Sequence, residues 1–553
     1  LLSAQSRIDL RGYRVEERID YIVEELAAAQ DAHGNGYVGG IPGQEALWKE
    51  IESGTVEGEP FYLNDVWVPW YTLHKLYAGL IDAYAYTGNE TALHVVTDLA
   101  DWAIDVTDGL SPAQWQEMLD TEHGGMNESL ANLYALTGEQ RYLTLSRKFH
   151  HGDVLTPLAQ DTARLGGLHG NTQIPKVIGA ARQYELTGAD SLRTIADAFW
   201  ERVVNHHTYV IGGHSEGEHF GPRDSLSTRL GTTTAETCNT YNMLKLTRHL
   251  FSLSAAPRYA DYYERALYNH ILASQEPKRG MTTYFMSLEP GHFKTYATPD
   301  SSFWCCTGSG MENHVRYGQG IYFQKDDNLF VNLFIPSALS WEEQGVTVRQ
   351  HTRFPEENTT RLTFEMDEPT ELGLRLRNPG WTDGPPTVRV NGERVEPEMM
   401  NGFLSHRRTW QPSDTVEVTL PMSLRTERMP DDPDRVAVLY GPIVLAGTLG
   451  TEGLPEGGAY AKDHLTYTGA DLFIPDSLRT AEHPYTLNPP PVPSLQAEAD
   501  RVAEWLTPVE GEPLSFQTRS VGLEENLTFR PFYDVHHQRY SVYWTLTDAA
   551  GAD

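Results

Sequence analysis

Three cysteines and one glutamate are the residues of this chain best suited to chemistry. The cysteines, Cys238, Cys305 and Cys306, lie in two short segments, AETCNTYN and SSFWCCTGSGMENH. Three is too few and of the wrong parity for a disulfide scaffold, and adjacent cysteines rarely bridge each other because their Cβ atoms point apart. A bound metal or a nucleophile is therefore the better interpretation.

Glu236 lies two residues before Cys238, so this segment offers one carboxylate and one thiolate beside the two thiolates of Cys305 and Cys306. A set of one oxygen and three sulfur ligands favours tetrahedral Zn(II) over Mg(II) or Ca(II). Three interpretations stay open on these residues: ordinary buried cysteines, a closed structural zinc site, and a site in which a thiolate reacts.

A reactive site would also need a proton donor, and a glycine-rich segment, GGHSEGEHFGPRD, offers one. It carries His214, Glu216, Glu218 and His219. We expect it to form a loop over a cavity, where a carboxyl group could transfer protons. The plainer interpretation is a solvated surface loop.

The elements that position these residues are predicted to be helical from Tyr13 to about Tyr317. Apolar residues recur there at helical spacing, as in DYIVEELAAAQ, KLYAGLIDAYAY and YNMLKLTRHLFSL. A turn signature repeats at Gly88, Gly138 and Gly188, at intervals of 50 residues. That period accommodates two helices with a glycine at a helix C-cap, and it predicts antiparallel helix pairs around a closed ring.

After about Gln324 the pattern changes to short alternating runs such as NLFVNLF, TRLTFEM and DTVEVTLPM, which predict antiparallel β-sandwiches. One sandwich is predicted for residues 325–450, with the strand RVAVLYGPIVLAG closing it. Residues 454–493 are predicted to be irregular, and the end of the chain to add a helix and further strands. The predicted domains are residues 1–324, 325–450 and 451–553.

The composition of the chain limits which partners and how many domains it can have. The formal net charge is −33, from 76 acidic and 43 basic residues, so nucleic acid is disfavoured as a partner because its phosphates would be repelled. No run of 18 apolar residues appears in the sequence, which argues against a membrane partner. The 553 residues are enough for two to four domains.

Taken together, the motifs resemble glycoside hydrolase families 127 and 146, the β-L-arabinofuranosidases. The matching text covers nearly the whole chain and includes WVPWYTLHKLYAGL, HGNTQIPKVIGAARQYELTG, GGHSEGEHF, TTTAETCNTYN, TTYFMSLEPG and SSFWCCTGSGMENHVRYGQGIYF. The segment HGNTQIPK resembles family 146 more closely than family 127. The ordered combination of E-x-C with a tryptophan-preceded C-C is the most specific part of the resemblance.

The resemblance implies a catalytic (α/α)6 barrel, with its first helix missing from the sequence, followed by antiparallel β-sandwich domains. It implies Zn(II) held by Glu236, Cys238, Cys305 and Cys306, with Cys305 as nucleophile and Glu218 as general acid/base. The sugar-contacting positions that it implies are His74, His123, His169, Gln173 and Tyr284.

These roles predict a retaining exo-glycosidase that releases terminal β-L-arabinofuranose from plant-type glycans. Two alternatives stay open. One is a glycosidase for another pentose or a deoxyhexose, because contacts outside the zinc motif set the sugar; the other is a non-catalytic carbohydrate-binding protein of the same fold. A hydrolase of external glycans is expected in the periplasm or outside the cell, although reduced thiols are equally compatible with the cytoplasm.

Overall fold

The computed structural model describes residues 2–3, 14–299, 302, 304–454, 458–461 and 491–547. The chain divides into two compact units. The larger unit comprises Leu1–Ile8, Leu165–Leu168 and Arg202–Asp553, and it includes strand β1 (Leu2–Ser3). The helical unit comprises Asp9–Arg164 and His169–Glu201.

Consecutive α-helices build the helical unit, and a small sheet lies between the second and third of them. The strands of this sheet are β2 (Gly58–Glu59), β3 (Tyr62–Leu63) and β4 (Val66–Trp67). The helices are α1 (Val15–His33), α2 (Gln44–Glu52), α3 (Pro69–Thr87), α4 (Glu90–Thr107), α5 (Pro112–Leu119), α6 (Met126–Thr137), α7 (Gln140–Lys148), α8 (Gly152–Ala159), α9 (Gly170–Thr187) and α10 (Asp190–His206), the last of which continues into the larger unit.

The repeated glycine turn ends three of these helices, as its spacing predicts. Gly88, Gly138 and Gly188 are the C-caps of α3, α6 and α9, with φ of 72°, 74° and 67°. In each case the glycine N–H donates to the carbonyl four residues earlier. Glycine adopts this left-handed conformation without the steric cost of a Cβ atom, so each helix stops and the next begins two residues later.

A cluster of buried aromatic rings joins α2, α3 and α4. Trp48, Trp70 and Trp102 are each less than 10% exposed. The ring centroids of Trp48 lie 5.0 Å from Trp70 and 4.9 Å from Trp102, both in edge-to-face geometry. Such pairs contribute about 0.5–1.5 kcal/mol beyond the area that they bury, so these rings hold α3, which carries His74, in a defined position.

The larger unit continues the helical pattern with α11 (Thr237–Ser254), α12 (Pro257–Ala266) and α13 (Cys305–Val315), and adds the short α14 (Val502–Trp505) near its end. Its remaining strands are β5 (Thr295–Ala297), β6 (Tyr322–Lys325), β7 (Asn328–Val331), β8 (Ser337–Trp341), β9 (Val346–Thr352), β10 (Thr359–Met366), β11 (Thr370–Arg377), β12 (Thr387–Val390), β13 (Glu393–Val395), β14 (Glu398–Met400), β15 (Phe403–Trp410), β16 (Thr415–Thr419), β17 (Leu424–Met429), β18 (Asp432–Tyr440), β19 (Ile443–Thr448), β20 (Ala459–Ala461), β21 (Leu495–Gln496), β22 (Leu506–Pro508), β23 (Phe516–Thr518), β24 (Thr528–Pro531), β25 (Tyr540–Ser541) and β26 (Tyr543–Thr547).

Two six-stranded sheets among the described residues face each other as a sandwich. Their strand orders are β1-β6-β7-β11-β15-β14 and β13-β12-β16-β10-β9-β8. Phe364 of β10 stacks on Trp410 of β15 with ring centroids 4.3 Å apart, which joins the two sheets. Most neighbouring strands are antiparallel, but β7 and β11 are parallel. Alternate residues of β10 are buried, as expected for strands with one face in a core.

A third sheet corrects one prediction. RVAVLYGPIVLAG does not close the first sandwich, because β18 and β19 lie in the middle of another sheet, which has nine strands among the described residues. Seven of them follow the order β21-β26-β18-β19-β24-β23-β22, while β17 pairs with β18 and β25 pairs with β19. Residues 436–439 and 443–446 are buried continuously rather than alternately, which is typical of strands covered on both faces. The alternation that sequence reasoning relies on is therefore missing here.

The observed order of a helical part followed by β-sandwich sheets confirms the predicted fold class. The closed ring of helix pairs and the domain boundaries at residues 324 and 450 stay predictions. Most of the segment 454–493, predicted to be irregular, lies outside the described residues. Within the described part of the chain, no helix is both long and apolar enough to cross a bilayer.

The nine-stranded sheet supports the segments around Glu218 and Tyr284. Val210 N–H donates to the phenol oxygen of Tyr543 at 2.7 Å, and the phenol of Tyr540 donates to the Ser287 carbonyl at 2.7 Å. Both tyrosines are buried, so these bonds are shielded from water. The carboxyl-terminal strands thus help to hold the segments that carry the candidate site.

Candidate metal and catalytic site

Two helix amino termini meet at the candidate metal site. Glu236 is the N-cap of α11 and Cys238 lies in its first turn, but the Glu236 side chain makes no capping hydrogen bond. Cys305 is the first residue of α13, and Cys306 follows it. Helix amino termini carry a partial positive charge and lower the pKa of nearby thiols, so both ends favour anionic ligands.

The four predicted ligands lie together. One donor atom from each of Glu236, Cys238, Cys305 and Cys306 lies within 4.8 Å of all the others. The Cys306 Sγ atom is 3.1 Å from Cys238 Sγ and 3.7 Å from Glu236 Oε1, and Cys305 Sγ is 4.0 Å from Glu236 Oε1.

The donor types of this cluster suit a tetrahedral zinc ion. Zn–S bonds of about 2.3 Å in a tetrahedron place two sulfur atoms about 3.7 Å apart, so the Cys238 and Cys306 sulfur atoms, which are 3.1 Å apart, would separate slightly to hold the ion. Burial raises the pKa of the Cys238 and Cys306 thiols well above the usual range. Three thiols and a carboxyl group packed in this way would repel one another when ionised, and a divalent cation removes that repulsion.

Cys305 differs from the other two cysteines because it is exposed, whereas Cys238 and Cys306 are 3% and 0% exposed. Hydrogen bonds from the Cys238 and Cys306 thiols lower the pKa of the Cys305 thiol well below its usual range. A low-pKa thiol that solvent can reach is the kind that reacts. Cys305 therefore combines the properties of a ligand and of a nucleophile.

Tyr284 joins the Cys305 thiol to Glu218. The Tyr284 phenol donates a short hydrogen bond to Glu218 Oε1, and its oxygen lies 3.7 Å from Cys305 Sγ. The carboxyl group and the thiol thus both contact one phenol oxygen. The segment holding Tyr284 pairs with the start of α11, where Thr237 N–H donates to the Tyr284 carbonyl at 2.9 Å.

Glu218 lies in a tight loop with a left-handed backbone, at φ 66°. Neighbouring Glu216 pairs in antiparallel bridges with His219 and with Thr234, and its carboxylate lies 3.2 Å from Arg229 Nη2. A non-glycine residue keeps this conformation only where its surroundings enforce it. The loop geometry therefore directs the Glu218 side chain to Tyr284.

His214 differs from the expectation of a loop over a cavity. It is fully buried and stacks on Phe220 with an interplanar angle of 7°. Burial lowers the pKa of His214 to about 3, so its imidazole is neutral in the core. The glycine-rich segment is thus part packed core and part loop, a division that a charged sequence does not reveal.

We expect Tyr284→Phe to lower kcat/KM by about ten- to a hundredfold, because the variant removes the hydrogen bond from the phenol to the Glu218 carboxyl group, which is worth about 1–3 kcal/mol. The ring contacts with Phe285 and Trp304 would be kept, so the melting temperature should stay near that of the wild type. Steady-state kinetics and calorimetry check both points. A kcat/KM value at the wild-type level in the variant would show that the Tyr284 phenol takes no part in catalysis.

The other predicted sugar contacts lie in the helical unit. His74 lies on α3 with Nδ1 2.7 Å from the Tyr71 carbonyl, and its ring lies against Gly124, where a Cβ atom would come within 2.1 Å of Nδ1. His123 is next to Gly124 in the chain and is fully buried. His74 and His123 are therefore neighbours.

His169 and Gln173 lie at the start of α9, where His169 Nδ1 accepts a hydrogen bond from Thr172 N–H at 3.2 Å. Within the described part of the chain, neither His123 Nε2 nor Gln173 Oε1 has a hydrogen-bond partner, although both are buried. Burial holds the pKa of His123 well below its usual range. Such buried, unsatisfied polar atoms are typical of sites that receive a polar ligand or water.

Sequence reasoning missed two polar groups. Ser309 Oγ lies 3.0 Å from Cys238 Sγ, and its position four residues after Cys305 on a helix was a signal for it. Lys176 is 1% exposed, and its ammonium donates to His151 Nδ1 at 2.8 Å. Burial lowers the pKa of Lys176 to about 7, and its place in HGNTQIPK, on the buried face of α9, could have identified it.

Comparison with known proteins gives three family matches. Residues 8–319 match the family described as β-L-arabinofuranosidase, GH127 catalytic domain. Residues 328–422 match its middle domain, and residues 477–546 match a domain of unknown function. A non-reducing end β-L-arabinofuranosidase of Bifidobacterium longum is 26% identical over 465 residues, which cover 71% of this chain and 67% of the relative.

Solved structures have the same fold. A GH127 β-L-arabinofuranosidase from Geobacillus stearothermophilus aligns with a TM-score of 0.67 at 20% identity, covering 97% of this chain and 88% of the other. A second GH127 β-arabinofuranosidase aligns with the same TM-score and identity, covering 97% and 85%. The matching model is that of family 127, and the closer likeness to family 146 stays a prediction.

Proposed function

The chain belongs to glycoside hydrolase family 127, and we propose that it is a retaining exo-glycosidase that releases terminal β-L-arabinofuranose from glycans. One observation carries the proposal: the exposed Cys305 thiol and the Glu218 carboxyl group both contact the Tyr284 phenol, beside a four-ligand cluster suited to zinc. The Bifidobacterium relative, a non-reducing end β-L-arabinofuranosidase, supports the choice of sugar.

The protein groups divide the reaction between them. Glu218 protonates the glycosidic oxygen while Cys305 Sγ forms a bond to the anomeric carbon, and the bond from that carbon to the leaving oxygen breaks. Glu218 then removes a proton from water, which attacks the same carbon and releases Cys305. Two inversions at one carbon give net retention.

The spacing of the two groups favours retention. In retaining enzymes with two catalytic carboxyl groups these groups lie about 5–5.5 Å apart, whereas in inverting enzymes they lie about 6.5–9.5 Å apart and leave room for a water molecule. Cys305 and Glu218 are bridged by a single phenol oxygen, which corresponds to the closer arrangement. Glu236, Cys238, Cys305 and Cys306 would hold the Zn(II), which would supply the positive charge that keeps the thiols ionised at neutral pH.

We propose that the terminal sugar is bound by five side chains, namely His74, His123, His169, Gln173 and Tyr284. Imidazole and amide groups are suited to sugar hydroxyls, which both donate and accept hydrogen bonds. The free Nε2 of buried His123 and the free Oε1 of buried Gln173, both assessed among the described residues, support a polar ligand.

The test is hydrolysis of p-nitrophenyl β-L-arabinofuranoside, with the anomer of the first-formed sugar followed by NMR. Release of β-L-arabinofuranose before mutarotation supports the proposal. Initial release of the α anomer would contradict retention. Hydrolysis only of the corresponding glycosides of other pentoses or of deoxyhexoses would contradict the choice of sugar and leave the thiolate chemistry intact.

We expect chelation to remove about one zinc per chain and to lower the melting temperature, because an ion bound to the folded state at a hundredfold excess over Kd adds about 2.7 kcal/mol of stability. Cys238→Ala, which deletes one buried ligand, should bind no zinc and melt near the chelated wild type. Elemental analysis and calorimetry measure both quantities. Zinc in Cys238→Ala at the wild-type level would contradict the ligand set.

A further inference from the structure

The small sheet of the helical unit presents one row of side chains to solvent. In its antiparallel register Glu59 pairs with Tyr62, and Tyr62 pairs with Trp67. Residues paired in this way point to the same face, so the three side chains form a row across the strands. Trp67 and Tyr62 are 65% and 46% exposed, and Glu59 is also exposed.

The opposite face of the same sheet is packed against protein. Gly58 pairs with Leu63, and Leu63 pairs with Val66; Leu63 is fully buried and Val66 packs on the core of the unit. A Cβ atom on Gly58 would come within 1.9 Å of the Glu117 carbonyl of α5. The sheet is therefore held in place, and two large aromatic rings stay on its solvent face.

The sheet is also bonded to the segments that carry the predicted sugar contacts. Glu122 N–H, next to His123, donates to the Pro60 carbonyl at 2.9 Å. The Phe61 ring meets the His169 ring edge to face at 5.4 Å. After Trp67 the chain enters α3, which carries His74. The exposed row thus lies on a sheet joined to the elements that carry three predicted sugar contacts.

We propose that Glu59, Tyr62 and Trp67 form a platform for a second sugar of the glycan, beyond the terminal residue that is removed; this rests on the proposed function. The negative faces of the two rings attract the polarised C–H groups of a sugar ring, and the Glu59 carboxylate accepts hydrogen bonds from hydroxyl groups. Three strands span about 10 Å, enough for one or two sugar rings.

The surroundings of the row favour a neutral sugar over other partners. Glu57 and Asp65 are exposed close to it in the chain, and carboxylates there repel phosphate-bearing partners such as nucleic acid or anionic lipid. Two aromatic side chains bury at most about 500 Å², which is below the roughly 800 Å² that each partner of a stable protein complex buries. An uncharged sugar meets neither obstacle.

The test compares two substrates in wild type and Trp67→Ala: p-nitrophenyl β-L-arabinofuranoside, which has no second sugar, and a trisaccharide ending in β-L-arabinofuranose. We expect the ratio of kcat/KM for the trisaccharide to kcat/KM for the nitrophenyl glycoside to fall about tenfold, since one aromatic contact of this type is worth about that factor. Tyr86→Ala, which removes an exposed ring on α3 away from the row, should keep the wild-type ratio.

An unchanged ratio overturns the platform, and so does an equal fall on both substrates together with a lower melting temperature. If wild type hydrolyses neither substrate, the proposed function fails, and calorimetric titration with the trisaccharide then decides about the platform. Binding that is about tenfold weaker in Trp67→Ala than in wild type supports it. Equal binding, or none in either protein, overturns it.

Discussion

Cys305→Ser should lower kcat about 10⁴-fold or more while the chain stays folded. A hydroxyl group in place of the thiol is a much weaker nucleophile at neutral pH, because it is not ionised there, and loss of a covalent nucleophile commonly costs this much. Single-turnover hydrolysis of the nitrophenyl glycoside measures the loss. Met311→Ala, on the same helix with a side chain that is 68% exposed, is the matched control and should retain wild-type turnover.

Loss of zinc could mimic loss of the nucleophile, so zinc content is measured in the same samples. Activity near the wild-type level in Cys305→Ser would rule out the thiolate as nucleophile. A fully inactive Cys305→Ser that still holds about one zinc per chain would separate the two roles of Cys305. That result would show that the lost activity comes from the missing nucleophile at the anomeric carbon and not from lost zinc.

Glu218→Gln should have an effect that depends on the leaving group. A glutamine cannot transfer protons, and general acid–base catalysis is worth about 10²–10⁴-fold. A sugar leaving group needs its oxygen protonated, so kcat/KM for a disaccharide should fall by about that factor. Nitrophenolate leaves without a proton, so its first release should stay fast while the second step, which lacks its base, becomes slow.

The variant should therefore give a burst of nitrophenolate equal to the enzyme concentration and accumulate a glycosyl-enzyme. Tandem mass spectrometry of the burst species should find one pentosyl unit on Cys305 and none on the adjacent Cys306. A pentosyl unit on Cys306, or on a carboxylate, would identify that residue as the nucleophile and contradict the assignment to Cys305. Glu216→Gln is the matched control, since Glu216 pairs with Arg229 in the same loop, and it should show no burst.

The amino-acid sequence by itself determined the features that depend on local patterns. The glycines at intervals of 50 residues mark helix ends because a left-handed C-cap favours glycine wherever the helix lies. Alternating apolar residues mark strands such as β10 because side chains alternate across a sheet. The set of one carboxylate and three thiols indicates zinc because ligand chemistry is a property of the residue types.

Only the tertiary structure decided which groups meet and which are exposed. Consecutive helical residues point about 100° apart, so the packing of α13 makes Cys305 accessible and Cys306 buried. Tyr284 contacts Glu218 across 66 residues of chain, and the row of Glu59, Tyr62 and Trp67 depends on strand register. Such contacts arise from the packing of distant segments, which local residue patterns do not encode.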